Sequence, residues 1–200
     1  MSDYKHDQTQ KFRCPWCLGF EDYIRYHDEE WGVPVYSDRR HFEFLVLESA
    51  QAGLSWATIL KKREGYAKAF KDFDYQKVAG FSADEITKLT SDPSIVRNRL
   101  KIESAVNNAR RFMEVQEKYG TFTGFMLDFV DGKPLQNAWN SMGEVPSTTD
   151  LSNKVSKELK RYGFKFLGST TVYAHLQASG IVNDHLVHCF RHQEVKRMAK

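Results

Sequence analysis

The stretch "ASGIVNDHLVHCFRH" near the C-terminus contains two metal-binding residue types, His185 and Cys189, four positions apart. If this stretch is helical, the two side chains lie on one face and can supply two of the four nitrogen or sulfur ligands of a tetrahedral zinc site. His188 lies between them. The alternative is ordinary packing, because seven histidines and three cysteines will form some close pairs by chance.

The remaining ligands of such a site must come from far upstream, in "RCPWCLGFEDYIRYH". Cys14 and Cys17 have the C-x2-C spacing of common zinc knuckles, and His27 competes for one of those places. A second interpretation treats the two cysteines as a redox dithiol. Such dithiols usually follow a strand, and no strand is predicted before residue 14. Spacing alone leaves these alternatives open.

Glu48 is the only ionisable residue in the run "FLVLESAQAGLSWATIL", residues 44–60. A bare carboxylate is costly to bury, so this group must have hydrogen bonds, a nearby cation or a proton. One explanation is that it caps a neighbouring helix or pairs with an Arg. The other is that it forms the floor of a pocket for a cationic or proton-donating ligand.

Aromatic residues are concentrated in the two segments that contain Glu48 and the upstream candidate ligands. Flat walls of Trp and Tyr suit a planar, electron-poor heterocycle, although aromatic residues are also common in cores that bind nothing. Two of the tyrosines are three positions apart and can share a helical face. The five aromatic residues are Trp16, Tyr23, Tyr26, Trp31 and Trp56.

Residues 147–180 are predicted to form two helices joined by a tight turn, a pattern that resembles a helix-hairpin-helix. The second helix opens with "GSTT", and the free backbone N–H groups at a helix N-terminus favour a phosphate. Neighbouring basic residues would add attraction to DNA that does not depend on sequence, although such a helix is more often just a solvated face. These residues are Lys154, Lys157, Lys160, Arg161 and Lys165.

Helical patterns recur along the chain, and sustained period-two alternation is missing, so the predicted fold class is all-α with eight or more short helices. Ser55 is a predicted N-cap, and Ser82 with Glu85 has the spacing of a capping box. The least regular segment is 131–150. Helices are predicted over 37–53, 55–73, 82–92, 93–120 (beginning at Pro93), 121–130, 147–163 and 169–180.

The 200 residues suit one helical domain over 13–192, with two lobes possible, between a disordered tail at 1–12 and a tail at 193–200. A net charge of +3 permits nucleic acid as a partner without arguing for it. The chain has no run of eighteen apolar residues, and its first residues lack the apolar segment of a secretory signal. We therefore expect a cytoplasmic protein with reduced cysteines and no membrane contact. We also expect a monomer.

Several stretches together resemble the bacterial 3-methyladenine DNA glycosylase I family. They are "RCPW", "YHDEEWGVP", "LESAQAGLSWATILKKRE", "GFKFLGSTTVY" and "GIVNDHLV", in the family's order from about residue 13 to 190. The resemblance implies the fold of helix-hairpin-helix DNA glycosylases and one structural Zn²⁺ that joins the N- and C-terminal segments. The implied zinc ligands are Cys14, His27, His185 and Cys189.

The resemblance also implies roles for the pocket residues. Glu48 is expected to contact the base, with Tyr26 as the second catalytic residue. Asp184 lies near the place where most helix-hairpin-helix glycosylases have an Asp that stabilises the departing sugar cation. "AQAG" at 50–53 stands where the family more commonly has "QQAG". The implied base-binding residues are Trp16, Tyr23, Gln51 and Trp56, and the implied DNA-backbone contacts are Lys165, Gly168, Ser169 and Thr170.

The activity implied is monofunctional base-excision repair, in which N3-methyladenine is flipped out of alkylated double-stranded DNA and released by hydrolysis as free 3-methyladenine. Two other classes remain as alternatives. One is a zinc-stabilised DNA-binding module that senses lesions without releasing bases. The other is a thiol oxidoreductase that uses Cys14 and Cys17.

Overall fold

A computed structural model of the chain, which describes residues 11–199, contains eleven α-helices and one two-stranded sheet. The predicted all-α class is confirmed. No helix in this part of the chain is long and apolar enough to cross a membrane. The helices are α1 (Glu21–Glu29), α2 (Asp38–Gln51), α3 (Trp56–Leu60), α4 (Arg63–Ala69), α5 (Tyr75–Ala79), α6 (Ala83–Leu89), α7 (Arg99–Tyr119), α8 (Phe122–Asp128), α9 (Asp150–Arg161), α10 (Ser169–Ala178) and α11 (Phe190–Met198). Strands β1 (Leu135–Gln136) and β2 (Val182–Asn183) pair in parallel.

Local capping signals fix several helix starts. Ser55 accepts a hydrogen bond from the third residue of its helix, and Ser82 forms the predicted capping box with Glu85. The single helix predicted over 55–73 is instead divided into α3, α4 and a short 3-10 turn. The caps are predictable because they depend on residues only three positions apart.

The predicted start of the long helix at Pro93 was wrong. The helix α7 begins at Arg99, because Asn98 takes an extended conformation and its side chain accepts a hydrogen bond from the N–H of Lys101. A side-chain acceptor at this position satisfies an N–H group that has no partner within the helix.

Residues 178–192, for which a helix was considered, do not form a single helix. The chain leaves α10 at Gly180, which has φ of +72° and lies so close to the backbone of Gly32 that any side chain would clash. It then passes through β2 and a turn, and Cys189 is the N-cap residue of α11. His185 and Cys189 therefore meet through a loop and not across a helical face.

The core is centred on α2, which contacts α3, α7, α8 and α10. Phe42 of α2 meets Phe112 of α7 edge to face at 5.6 Å, and Phe112 stacks on Phe122 of α8 at 4.2 Å between ring centroids. Burying each phenyl ring contributes roughly 1.5–3 kcal/mol. This packing holds α2, whose second half carries Glu48.

The helices α9 and α10 form the predicted pair, joined by residues 162–168. They pack on each other through buried apolar side chains that include Val155, Leu159 and Val172. Gly163 in the turn has φ of +85°, a conformation that side chains disfavour. The helix α10 also packs on α2, which brings the end of this pair next to Glu48.

The two ends of the described chain meet. The backbone N–H of Phe190 donates to the carbonyl oxygen of Phe12 over 3.0 Å. The predicted tail at 1–12 falls mostly outside the described residues, which begin at 11. At the other end, α11 continues to Met198 with Val195 buried, so the boundary predicted at residue 192 lies inside a helix.

Candidate functional site

A cavity of about 320 Å³ lies where α1, α2, α3 and α10 converge. Glu48 and Gln51 of α2 line it, as do Thr170 and Tyr173 of α10. A cavity of this size matches the lower range of small-molecule sites. The structure therefore brings all six residues predicted for catalysis and base binding to one place: Trp16, Tyr23, Tyr26, Glu48, Gln51 and Trp56.

Aromatic rings in contact with one another line part of the cavity. Trp16 has its ring centroid 5.1 Å from that of Tyr23 and 5.0 Å from that of Trp31. The ring of Tyr26 lies 6.4 Å from that of Trp16 and 5.4 Å from that of Trp56. The Nε1–H of Trp56 is buried and has no hydrogen-bond partner within residues 11–199. Aromatic rings of this kind can pack against a planar ligand.

Glu48 is only 3% exposed and has one free oxygen. Its Oε2 lies 3.2 Å from Nδ1 of His175 in α10, while Oε1 has no hydrogen-bond partner within the described chain. The partner is thus neither a helix end nor an Arg. Burial raises the pKa of the Glu48 carboxyl well above its usual range. A buried oxygen without a partner at the edge of a cavity is available to a ligand.

Tyr26 is also buried, at 3% exposure. Burial raises the pKa of the Tyr26 phenol well above its usual value. The hydroxyl group therefore stays protonated and can donate a hydrogen bond.

Asp184 lines the same cavity, but both of its carboxylate oxygens already accept hydrogen bonds from other side chains. Its carboxylate accepts hydrogen bonds from Asn137 and from the indole of Trp139, each over 2.7 Å, and from Gln177 over 2.8 Å. The hydroxyl of Tyr173 donates to it as well. Asp184 therefore joins α10, the segment after β1 and the loop after β2.

The four predicted metal ligands form one buried group. The ligand atoms of Cys14, His27, His185 and Cys189 all lie within 4.8 Å of one another. Three of the distances between a sulfur and a nitrogen ligand atom are 3.4 Å (Cys189 Sγ to His27 Nε2), 3.6 Å (Cys189 Sγ to His185 Nδ1) and 3.8 Å (Cys14 Sγ to His185 Nδ1). Zinc at its usual bond lengths in a tetrahedron requires about 3.5 Å between a sulfur and a nitrogen ligand. This Cys2His2 group can therefore hold a metal ion.

Neighbouring groups orient the two imidazoles. Nδ1 of His27 lies 2.8 Å from Asp28, which Arg13 also holds, and Nε2 of His185 lies 2.9 Å from the carbonyl oxygen of Trp31. Each ring thus turns its other nitrogen toward the centre of the group. Partners of this kind fix the tautomer that a metal needs.

Cys17 lies outside the metal-binding group. Its Sγ donates to the carbonyl oxygen of Cys14 over 3.2 Å, at the end of a 3-10 turn over Pro15–Cys17. Burial raises the pKa of the Cys17 thiol to about 11. A reactive redox thiol needs the opposite shift, which argues against the oxidoreductase alternative.

The predicted DNA contacts lie at the turn between α9 and α10. Lys165, Gly168 and Thr170 are exposed, and Gly168 is an N-cap residue without a side-chain cap, which leaves N–H groups free at the start of α10. Thr170 also lines the cavity, so this turn lies next to its opening. Asn108 of α7 holds the backbone of Lys165 through hydrogen bonds of 2.8 and 2.9 Å.

Several residues of the site were not predicted from the sequence. Tyr173 and Gln177 of α10 and residues 142–147 supply part of the cavity wall, and His175 of α10 is buried behind Glu48. Nothing local in the sequence shows that His175 meets Glu48, which lies 127 positions away from it.

Comparison with known proteins gives consistent matches over most of the chain. The family model described as "Methyladenine glycosylase" matches residues 16–192. DNA-3-methyladenine glycosylase 1 of Escherichia coli (strain K12) is 42% identical over 177 residues, covering 88% of this chain and 95% of that protein. The DNA-3-methyladenine glycosylase of Haemophilus influenzae is 42% identical over 177 residues, with 88% and 96% covered.

A solved structure of 3-methyladenine DNA glycosylase I from Staphylococcus aureus is also similar to this chain. That structure concerns the structural basis of 3-methyladenine recognition by the Staphylococcus aureus protein. It is 41% identical to this chain, has a TM-score of 0.86, and the match covers 89% of this chain and 95% of that one.

Proposed function

Because the chain belongs to the methyladenine glycosylase family, we propose that it is a DNA-3-methyladenine glycosylase that releases N3-methyladenine from alkylated double-stranded DNA. The family assignment made from the sequence motifs is confirmed. The observation that carries the proposal is the free Oε1 of Glu48, buried at the edge of a cavity with aromatic walls.

Base recognition follows from charge and hydrogen bonding. N3-methyladenine in DNA is positively charged and electron-poor, so it is attracted to the faces of Trp16, Trp56 and the neighbouring tyrosines. Glu48 Oε1 accepts hydrogen bonds from the edge of the base, and the carboxyl group can ionise opposite the positive charge. Unmodified adenine is neutral and leaves Glu48 poorly matched, at a cost of about 1–3 kcal/mol, roughly tenfold to a hundredfold in selectivity.

The damaged nucleotide must leave the base stack to reach this cavity, so the proposal includes base flipping. The leaving base needs little acid catalysis, because it is already cationic and departs as neutral 3-methyladenine. The side chains around the cavity supply hydroxyl, carboxyl and amide groups, and we assign water as the nucleophile. Glu48 and Tyr26 hold the base in place, and nearby carboxylates stabilise the positive charge that develops on the sugar.

The turn between α9 and α10 is the proposed contact with the DNA backbone. Its free N–H groups at Gly168, Ser169 and Thr170 suit a phosphate, and Lys165 adds positive charge. Since Thr170 also lines the cavity, a phosphate bound here would lie close to the flipped nucleotide.

The Cys2His2 group is the proposed site of one structural Zn²⁺. Thiolate and imidazole ligands are those that zinc prefers, and hydrogen bonds from Cys14, His185 and His27 lower the pKa of the Cys189 thiol. Four protein ligands leave no open position for water, so the metal would have no chemical step. Its contribution is to hold Trp16 and Trp31, whose rings contact the imidazoles of His27 and His185 at 5.3 and 4.6 Å.

We also propose that the protein acts as a cytoplasmic monomer. The aromatic walls, Glu48, the turn before α10 and the Cys2His2 group all come from one chain, so a single copy holds a complete site. A reducing compartment would keep the cysteines available for zinc.

The direct test is chromatography of the bases that the purified protein frees from methylated duplex DNA. We expect 3-methyladenine as the main product. If the protein binds methylated DNA and frees no base, it is a lesion-sensing module and the enzymatic proposal is wrong.

A further inference from the structure

Two buried histidines form a series of hydrogen bonds that leads from Glu48 away from the cavity. Nδ1 of His175 lies 3.2 Å from Glu48 Oε2, and Nε2 of the same ring lies 3.1 Å from Nδ1 of His41. Nε2 of His41 lies 3.1 Å from the carbonyl oxygen of Val35. Both histidines are at most 1% exposed. The four groups form an unbroken hydrogen-bonded chain, and His41 touches neither the cavity nor Glu48.

The carbonyl group at the end of this chain fixes the direction of every hydrogen bond in it. The oxygen of Val35 can only accept, so Nε2 of His41 carries a hydrogen and its Nδ1, in a neutral ring, can only accept. Nε2 of His175 must then donate to His41. One proton remains, and it lies between Nδ1 of His175 and Oε2 of Glu48.

Burial decides on which of these two atoms the proton lies. It raises the pKa of Glu48 and lowers the pKa of His175 to about 3, and burial and the neighbouring His175 also lower the pKa of His41 to about 3. Two other titratable groups face the chain. Tyr26 keeps its proton, and Asp38 opposes the shift of His41 only in part. A neutral acid beside a neutral imidazole avoids two separated charges in a dry interior.

We propose that, in the ligand-free protein, His41 and His175 are positioning residues that hold Glu48 as a neutral acid, with its proton donated to His175 Nδ1 and its Oε1 presented to the cavity only as an acceptor. The carboxyl group cannot turn to offer its O–H to a ligand, because Nδ1 of His175 would then lose its only hydrogen-bond donor. The cavity therefore selects ligands that present an N–H at this edge. That ligand preference rests on the proposed function, whereas the proton arrangement does not.

The proton arrangement is tested on the protein alone. Nitrogen-15 NMR at pH 7 should find both rings as the same tautomer, with hydrogen on Nε2 and none on Nδ1. The carboxyl carbon of Glu48, assigned by its loss in Glu48→Gln, should show the shift of a neutral acid. A hydrogen on Nδ1 of either ring, or an ionised Glu48, would overturn the proposal. This outcome is independent of any glycosylase activity.

The consequence for binding is tested with two variants of His41. In His41→Gln the amide oxygen can accept from His175 and the amide N–H can donate to Val35, so the direction of the chain is kept. In His41→Leu the acceptor is lost, and His175 is free to change its tautomer. Titration with free 3-methyladenine should show binding within about twofold of wild type for His41→Gln and weakened roughly threefold to tenfold for His41→Leu.

The NMR spectrum of His41→Leu should also show hydrogen on Nδ1 of His175, which a purely structural defect would not produce. Equal weakening in both variants, or an unchanged His175 tautomer in His41→Leu, would refute the positioning role. If the wild-type protein binds no 3-methyladenine, the proposed function fails, and the NMR result still decides the proton arrangement.

Discussion

At the scale of single residues, Glu48 combines two properties that one side chain rarely has in a core: it is buried, and one oxygen is left free. In Glu48→Gln the amide can still donate to His175 and present its oxygen to the cavity, but it cannot ionise opposite a cation. We expect release of 3-methyladenine from methylated DNA to fall about tenfold to a hundredfold. Binding of the neutral free base should change less.

The control for Glu48→Gln is Glu103→Gln, the same chemical change at an exposed position of α7 where the side chain pairs with Arg99. Single-turnover rates of base release should match wild type for this control. An undiminished rate for Glu48→Gln itself would remove Glu48 from the proposed mechanism.

The buried histidines predict how stability depends on pH. The pKa of His41 is about 3 in the folded protein, compared with 6.5 as the ordinary value. Between these pH values the unfolded chain binds a proton at His41 that the folded protein excludes. The contribution of neutral His41 to the unfolding free energy is therefore fully present above pH 6.5 and is lost as pH falls toward 3. In His41→Gln the slope of the unfolding free energy between pH 4 and 6 should be shallower by about 1.4 kcal/mol per pH unit.

Denaturant titrations over this pH range measure that slope. The matched control is His188→Gln, the same substitution at an exposed position. Protonation of the Cys2His2 group affects all three proteins and cancels in the comparison. A slope for His41→Gln equal to that of wild type would show that His41 is charged when buried.

At the scale of elements, one carboxylate joins two helices. Asp38 is the first residue of α2, yet it accepts hydrogen bonds from the N–H groups of Phe122 and Thr123, over 2.9 and 3.1 Å, at the start of α8. Asp38→Ala leaves these donors without a partner and should lower the unfolding free energy by about 1–3 kcal/mol. Asp150→Ala, at the exposed first position of α9, should cost only about 0.3–1 kcal/mol. Equal losses in urea titrations would show that Asp38 acts only through the dipole of its own helix.

The helices differ in how far the sequence could predict them. The start at Ser82 depends on Glu85 three residues later, and both are visible in the sequence. The stretch 178–192 has apolar residues at helical spacing, but Gly180 must pass close to the backbone of Gly32, almost 150 positions earlier. A contact of this range leaves no local signal, so the helical pattern was misleading there.

At the scale of the whole molecule, the candidate site is assembled from distant parts of the chain. Motif resemblance nominated the four residues of the Cys2His2 group. Spacing alone nominated Cys14 and Cys17, with His27 as a competitor, because the contacts that bring His27 and not Cys17 into the group are long-range. The same limit applies to His41 and His175, which are 134 positions apart and look like ordinary core residues in the sequence. Local patterns predicted which residue types do chemistry, and tertiary contacts decided which of them meet.

The Cys2His2 group joins the two ends of the fold, so its metal should set the stability of the whole molecule. Elemental analysis should find about one zinc per chain. If zinc binds only the folded protein, each tenfold rise in free zinc adds about 1.4 kcal/mol to the unfolding free energy.

Cys14→Ser combined with His185→Ala should abolish this dependence of the unfolding free energy on zinc and reduce base release, because Trp16 and Trp31 lose their support. Cys17→Ser, which changes the third cysteine, should keep both the metal and the dependence. Stoichiometric zinc in the double variant would refute the ligand set.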